Sequence, residues 1–219
     1  MHRIERLAKL NPSGRLPIPK VWISKTSLLE AKNYLNNKTG PFIAIGATAN
    51  WPAKVWPSNN FVSLIRKILN FKDLKGGKVV LVGGPGEEKV GEDLYKKLID
   101  IDPINLVGKP ILPTAAIFSL SRIFIGNDSG LMHLSAATGI PTLGLFGPTD
   151  DKLYSPTGKN AIFVRTPQSP KELMDIPNFN HRTSSTLMDT LTVRMVEHKV
   201  KELLLSSKWS NTIIFLITF

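Results

Sequence analysis

Cysteine is absent from the 219-residue chain, which excludes disulfides and every thiolate-bound metal or cluster. The four histidines, His2, His133, His181 and His198, are scattered and share no metal-ligand spacing. No metal site is therefore expected. Acidic residues are the scarcer charge, 17 against 28 Lys and Arg, for a net charge of +11. The most apolar stretch, Ile213 to Ile217, is far too short for the roughly 20 residues that cross a bilayer. Met1 to Leu10 is punctuated by charges and has no apolar core of the signal-peptide kind. The cytoplasm is the expected compartment.

What is present is a core. Hydrophobic residues make up 42% of the chain, which suits one large globular domain, with or without extensions. The positive charge is uneven: residues 1–40 hold eight Lys and Arg against Glu5 and Glu30, leaving five of the +11 for the rest. Such a surplus suits a phosphorylated substrate, an anionic membrane surface or nucleic acid, or is simply a solvated basic face. Nucleic acid lacks further support, because no basic segment is interleaved with aromatic residues. Leu16-Pro17-Ile18-Pro19 reads as extended, Ser27 to Leu35 as a short helix, and Asn36 to Pro41 as a turn. No independent core is visible here, so residues 1–40 are expected to be a basic linker-like segment. A globular domain then spans 41–206, and an apolar tail 207–219.

Within that domain, strand-like and helix-like runs alternate. Phe42–Ala47, Lys78–Val82, Ile104–Val107, Ile123–Ile125, Thr142–Phe146 and Ala161–Val164 have strand composition and length. Helices are expected at Ser58–Asn70, from Glu88 towards Ile99, at Thr114–Ser121 and Leu131–Thr138, and through Val193–Leu205. Arg165 to Thr186 is expected to be a long surface connection. This order predicts an α/β fold with a Rossmann-like, doubly wound parallel sheet. Polar residues collect where strands end and helices begin, which is the ligand edge of such a sheet.

The densest cluster is Arg122 to Asp150, RIFIGNDSGLMHLSAATGIPTLGLFGPTD. Asp128 or Ser129 can cap the helix that follows, and Gly130 allows close approach to its unpaired N–H groups. His133 falls four residues after Ser129, on the same face of the first turn. A second polar turn containing Thr149 follows one strand later. Asp100-Ile101-Asp102 also has the form of a divalent-cation motif. It falls between a helix end and a strand start, opposite the ligand edge, and is read as a solvated loop.

The GNDSGLMHLSAATGIPTLGLFGPTD run resembles the donor-site signature of the ADP-heptose:lipopolysaccharide heptosyltransferases, glycosyltransferase family 9. Lys54-Val55-Trp56-Pro57 resembles that family's K-x-W-P motif, and Gly83-Gly84-Pro85-Gly86-Glu87 its G-x-P-x-E turn. The resemblance runs from about Phe42 to Leu205. It implies the carboxy-terminal, donor-binding half of a GT-B glycosyltransferase, with the acceptor half and its general base missing. It further implies donor contacts from Lys54, Glu87, Asp128, Ser129, Gly130, His133 and Thr149, with Lys54 and His133 stabilising the leaving group. Glu88 is the neighbouring competitor of Glu87. No catalytic base is identified in this half, and no cofactor is implied beyond a nucleotide-sugar donor such as ADP-heptose. The implied acceptor is the lipopolysaccharide inner core, with peripheral contact to an anionic membrane. A nucleotide-sugar-binding domain without catalysis of its own remains the alternative.

Overall fold

The structure is a computed structural model that describes residues 1–9, 17–177, 179–180 and 183–207. Along the chain come α1 (Arg3–Ala8), α2 (Lys25–Tyr34), β1 (Phe42–Gly46), α3 (Ser58–Ile68), β2 (Lys78–Gly83), α4 (Glu88–Lys97) and β3 (Ile104–Val107). These are followed by α5 (Ile111–Leu120), β4 (Ser121–Asn127), α6 (Gly130–Thr138), β5 (Thr142–Phe146), α7 (Asp151–Tyr154), β6 (Ala161–Arg165), α8 (Pro170–Met174) and α9 (Val193–Ser206). The strands form one parallel sheet in the order β3-β2-β1-β4-β5-β6. The direction of strand addition reverses between β1 and β4. Loops leaving those two strands turn to opposite faces and open a crevice beyond their carboxyl ends.

Alternation along each strand divides the core in two. Ile43, Ile45, Val79, Leu81, Ile123, Ile125, Leu143 and Leu145 face α3, α4 and α9, where they meet Phe61, Leu64, Ile65, Leu94, Val200 and Leu203. Phe42, Ala44, Val80, Val82, Phe124 and Phe146 face α2, α5 and α6. Strands buried on both faces read as unbroken apolar runs, which is why their positions were legible in the sequence. Gly139, in the left-handed conformation at φ 86°, ends α6, and Pro141 follows it.

Several expectations need correction. The 1–40 segment is not outside the domain's packing: Ala31 and Leu35 of its α2 stretch are fully or almost fully buried in the second core cluster. The reason lies in α5. Ala115, Ala116, Ile117 and Phe118 are all buried, so α5 has no polar side to present to water, and α2 covers it. The preceding residues are pinned as well, since Val21 donates a backbone hydrogen bond to the Ala137 carbonyl at 3.1 Å. Helix α5 starts three residues earlier than expected, because Pro113 in its first turn interrupts no helical hydrogen bond. The 165–186 connection includes α8, and its end is tied to the loop after β1, as described below. The apolar stretch Ile213–Ile217 lies outside the described residues.

Asp100 and Asp102 stand as expected at the end of the sheet away from the crevice. Asp100 accepts two hydrogen bonds from Arg66, at 2.7 and 2.9 Å, and Asp102 accepts one from Lys38 at 2.5 Å. Both carboxyls are held below the ordinary carboxylate range, chiefly by these hydrogen bonds. Among the described residues, no helix is long and apolar enough to cross a membrane.

The burial of α2 carries a prediction. Leu35→Ala should destabilise the domain by about 2–5 kcal/mol, as buried Leu truncations do. In urea denaturation this appears as a lower midpoint at unchanged slope. A change near zero would mean that α2 rests on the domain without belonging to its cooperative core.

Candidate functional site

The loop from Ala47 to Pro57 leaves β1 at the crevice, and neighbouring segments fix its far end. Thr186 Oγ1 donates to the Val55 carbonyl at 2.6 Å, and the Leu187 amide donates to the Ala53 carbonyl at 3.0 Å. The Trp56 amide donates to Asn127 Oδ1 at 3.1 Å, and its indole Nε1 donates to the Leu191 carbonyl at 2.7 Å. The Trp56 ring itself is fully buried, edge-on to Phe61. Trp56 is therefore a core residue whose backbone presents a one-turn 3₁₀ segment, Pro52–Lys54, to the crevice.

Lys54 leaves that turn and meets Asp128 from the end of β4. Nζ and Oδ2 are 3.2 Å apart, and only 14% and 7% of the two side chains is exposed. The ammonium also lies 5.5 Å from the Trp51 ring centroid. Asp128 thus faces the lysine and does not cap α6. Ser129 occupies the N-cap position, but its side chain makes no capping hydrogen bond. The expected cap is absent because the carboxylate is engaged in a charge-assisted contact. The first N–H groups of α6, which lack intrahelical partners, open towards the crevice.

Gly130 carries no left-handed φ, and a Cβ placed there would touch nothing within 4 Å. Its small size matters to the space in front of the helix, not to the turn. His133, one turn on, lines the same crevice. Burial pushes its pKa below the ordinary 6.5; the Asp128 charge opposes that shift, while His2 and Lys54 add to it. The ring is consequently neutral at pH 7, with one nitrogen donating and the other accepting.

Across the crevice, Glu87 is anchored by two short hydrogen bonds into Oε2, from Thr48 Oγ1 at 2.5 Å and the Gly84 amide at 2.6 Å. It lines the crevice, whereas Glu88 accepts from the Gly86 amide and does not line it. Thr149 is on the wall too, with a buried Oγ1 that has no hydrogen-bond partner among the described residues. All seven sequence-expected residues, Lys54, Glu87, Asp128, Ser129, Gly130, His133 and Thr149, line one cleft of about 780 Å³.

Sequence reasoning missed other lining residues, among them Ile111, Tyr154 and Arg3. Ile111 is a largely exposed apolar side chain at the start of α5. Tyr154 ends α7, and Arg3 comes from α1. Ile111 could have been suspected, since it opens the helix after β3 at the ligand edge. Arg3 offers no such signal, because it lies some 50 residues from the nearest motif and belongs to no strand end.

This geometry can be set beside known proteins. The sequence profile of glycosyltransferase family 9 (heptosyltransferase) matches residues 9–181. The chain belongs to glycosyltransferase family 9. Among curated family relatives, lipooligosaccharide heptosyltransferase 2 of Haemophilus influenzae is 32% identical over 118 residues, covering 52% of this chain and 33% of that protein. Lipopolysaccharide heptosyltransferase 2 of Escherichia coli is 28% identical over 160 residues, covering 68% and 45%. The chain thus spans less than half the length of these relatives. The solved E. coli ADP-heptose lipopolysaccharide heptosyltransferase II superposes with a TM-score of 0.72 at 24% identity, over 93% of this chain and 58% of that one. A family 9 glycosyltransferase from Veillonella parvula gives 0.71 at 24% identity, over 92% and 58%. The fold is that of the GT-B heptosyltransferases.

The buried imidazole predicts a pH dependence. A histidine whose folded pKa lies below its unfolded value lets the unfolded chain take up the proton first. Its contribution to stability is therefore full above the unfolded value of about 6.5 and diminishes as pH falls below it. The stability of the wild type relative to His133→Gln should accordingly decline on acidification from pH 7. The His133 ring resonance should titrate below 6.5. A midpoint above that value would contradict the burial-dominated environment.

Proposed function

We propose that this chain binds the nucleotide-sugar donor of a heptosyltransferase, with ADP-heptose as the donor and the lipopolysaccharide inner core as the acceptor. The observation that carries the reading is the Lys54–Asp128 pair, placed at the open N-terminus of α6 where the strand order reverses. A departing nucleoside diphosphate accumulates negative charge. An ammonium, a row of backbone N–H groups and a neutral imidazole donor are suited to receive it. Glu87, already oriented through Oε2, keeps Oε1 available for the ribose hydroxyls, as acidic residues after a second strand do in related folds. Ile111 supplies an apolar wall beside it. Gly130 leaves room for the phosphates, and Thr149 Oγ1 is a candidate polar contact.

The remaining steps of the reaction belong to an acceptor half. A base must take the proton of the attacking hydroxyl as the sugar carbon inverts, and none of the cleft residues is assigned that role. In this reading protein groups meet the leaving-group charge, and no metal is invoked. A cytoplasmic protein in peripheral contact with an anionic membrane is the setting we favour. The basic amino-terminal segment and its exposed Ile18 and Trp22 support it. Nucleic acid is not among the proposed partners.

Isothermal titration with ADP, UDP and GDP tests the reading. ADP should bind, and more tightly than the other two. Lys54→Ala should lose about 1.5–3 kcal/mol of that affinity, the range of a hydrogen bond to a charged group. Gly130→Val should block the nucleotide while keeping the melting temperature, because its side chain would project only into the cleft. Unaltered ADP affinity in a folded Lys54→Ala protein would remove the assignment.

A further inference from the structure

Among the described residues, two cationic side chains line the cleft, Lys54 and Arg3. Their electrostatic situations differ. Lys54 is matched by Asp128 at 3.2 Å, so the pair brings little net positive charge to an incoming anion. Arg3 forms no ion pair with a carboxylate among the described residues. Asp150, which lines the same cleft, accepts from the Lys152 amide at 2.9 Å and makes no ion pair with Arg3, and Asp151 is paired with Arg165.

Arg3 is nevertheless held in place. One guanidinium nitrogen donates to Tyr154 Oη at 2.9 Å, and the guanidinium carbon lies 4.7 Å from the centroid of the Tyr154 ring. The helix that carries it is fastened at its start, where His2 Nε2 and the Ser155 carbonyl oxygen are 3.0 Å apart. His2 also caps that helix, reciprocally with Glu5. A guanidinium has five N–H donors in a rigid fork, and most of them remain for a ligand.

We propose that Arg3 is the second phosphate-binding residue of the cleft, brought by α1 from outside the sheet to the same diphosphate that Lys54 meets. A nucleoside diphosphate carries several negative charges, and the helix N-terminus supplies about half a positive charge. With Lys54 balanced by Asp128, Arg3 provides a cation that no described carboxylate pairs with directly. Tyr154 is its positioning residue, fixing the fork by one hydrogen bond and by stacking. This role rests on the nucleotide-diphosphate reading of the cleft.

The test compares ADP and adenosine binding by calorimetry in the wild type, Arg3→Gln, Arg3→Lys, Arg6→Gln and Lys54→Ala proteins. Arg3 is exposed, so its replacement should leave the fold intact. Arg3→Gln should weaken ADP about tenfold, the scale of a charge-assisted contact, and leave adenosine unchanged. Arg3→Lys should fall between, keeping charge without the fork. Arg6, on the same helix but not on the cleft wall, controls for bulk charge and should bind ADP as the wild type does. An Arg3→Gln protein with wild-type ADP affinity, beside a weakened Lys54→Ala protein, would overturn the role of Arg3 alone. An equal loss in Arg6→Gln would overturn it too, as a general charge effect. A wild-type chain that fails to bind ADP would remove the donor reading and this role together.

Discussion

The ion pair between Lys54 and Asp128 joins two loops that the fold sends to opposite faces of the sheet. Burying two opposite charges costs several kcal/mol per ion before their attraction offsets it. Such a pair persists only where the surrounding structure fixes both partners. Here the lysine loop is held by Thr186, Leu187, Leu191 and Asn127, and the aspartate follows directly on β4. Asn127 and Asp128 are adjacent, so one strand end holds both the backbone of the lysine loop and its charge. Displacing that strand end would disturb the cleft, the lysine and the start of α6 at once.

Polar satisfaction divides the molecule in the same way. Buried side-chain polar groups in native proteins almost always find partners. Among the described residues two such atoms have none, Asn127 Nδ2 and Thr149 Oγ1. Asn127 is the last residue of β4, and Thr149 stands just past the carboxyl end of the neighbouring β5. Away from this edge the buried polar groups are paired, as with Ser135 and Thr142 at 2.8 Å or Ser121 to the Ile117 carbonyl at 2.8 Å. The end of the sheet opposite the cleft carries surface ion pairs at Asp100 and Asp102, whereas the cleft edge is where buried polar groups converge.

The amino-terminal segment contributes more to the domain than its composition implies. Helix α2 covers the apolar α5, and α1 reaches round to the far wall of the cleft through Tyr154 and Ser155. Chain that precedes the first strand therefore supplies both core and cleft wall.

The six strands, the helix between β4 and β5, and the clustering of Lys54, Glu87, Asp128, Ser129, Gly130, His133 and Thr149 at one edge were legible in the sequence. The physical reason is that each rests on local information. Apolar runs mark strands buried on both faces, Gly139 with Pro141 marks a helix end, and a parallel sheet puts its strand-end loops at a common edge. Even the need for α2 left a trace, since ILPTAAIFSL has no polar face and must be covered. What only the tertiary structure decided depends on distance in the chain. That Asp128 pairs with Lys54 and does not cap α6 is set by a contact across 74 residues, and Arg3 meets Tyr154 across 151. No periodicity or motif encodes such meetings, because they follow from how layers pack and not from the order of residues within any one element.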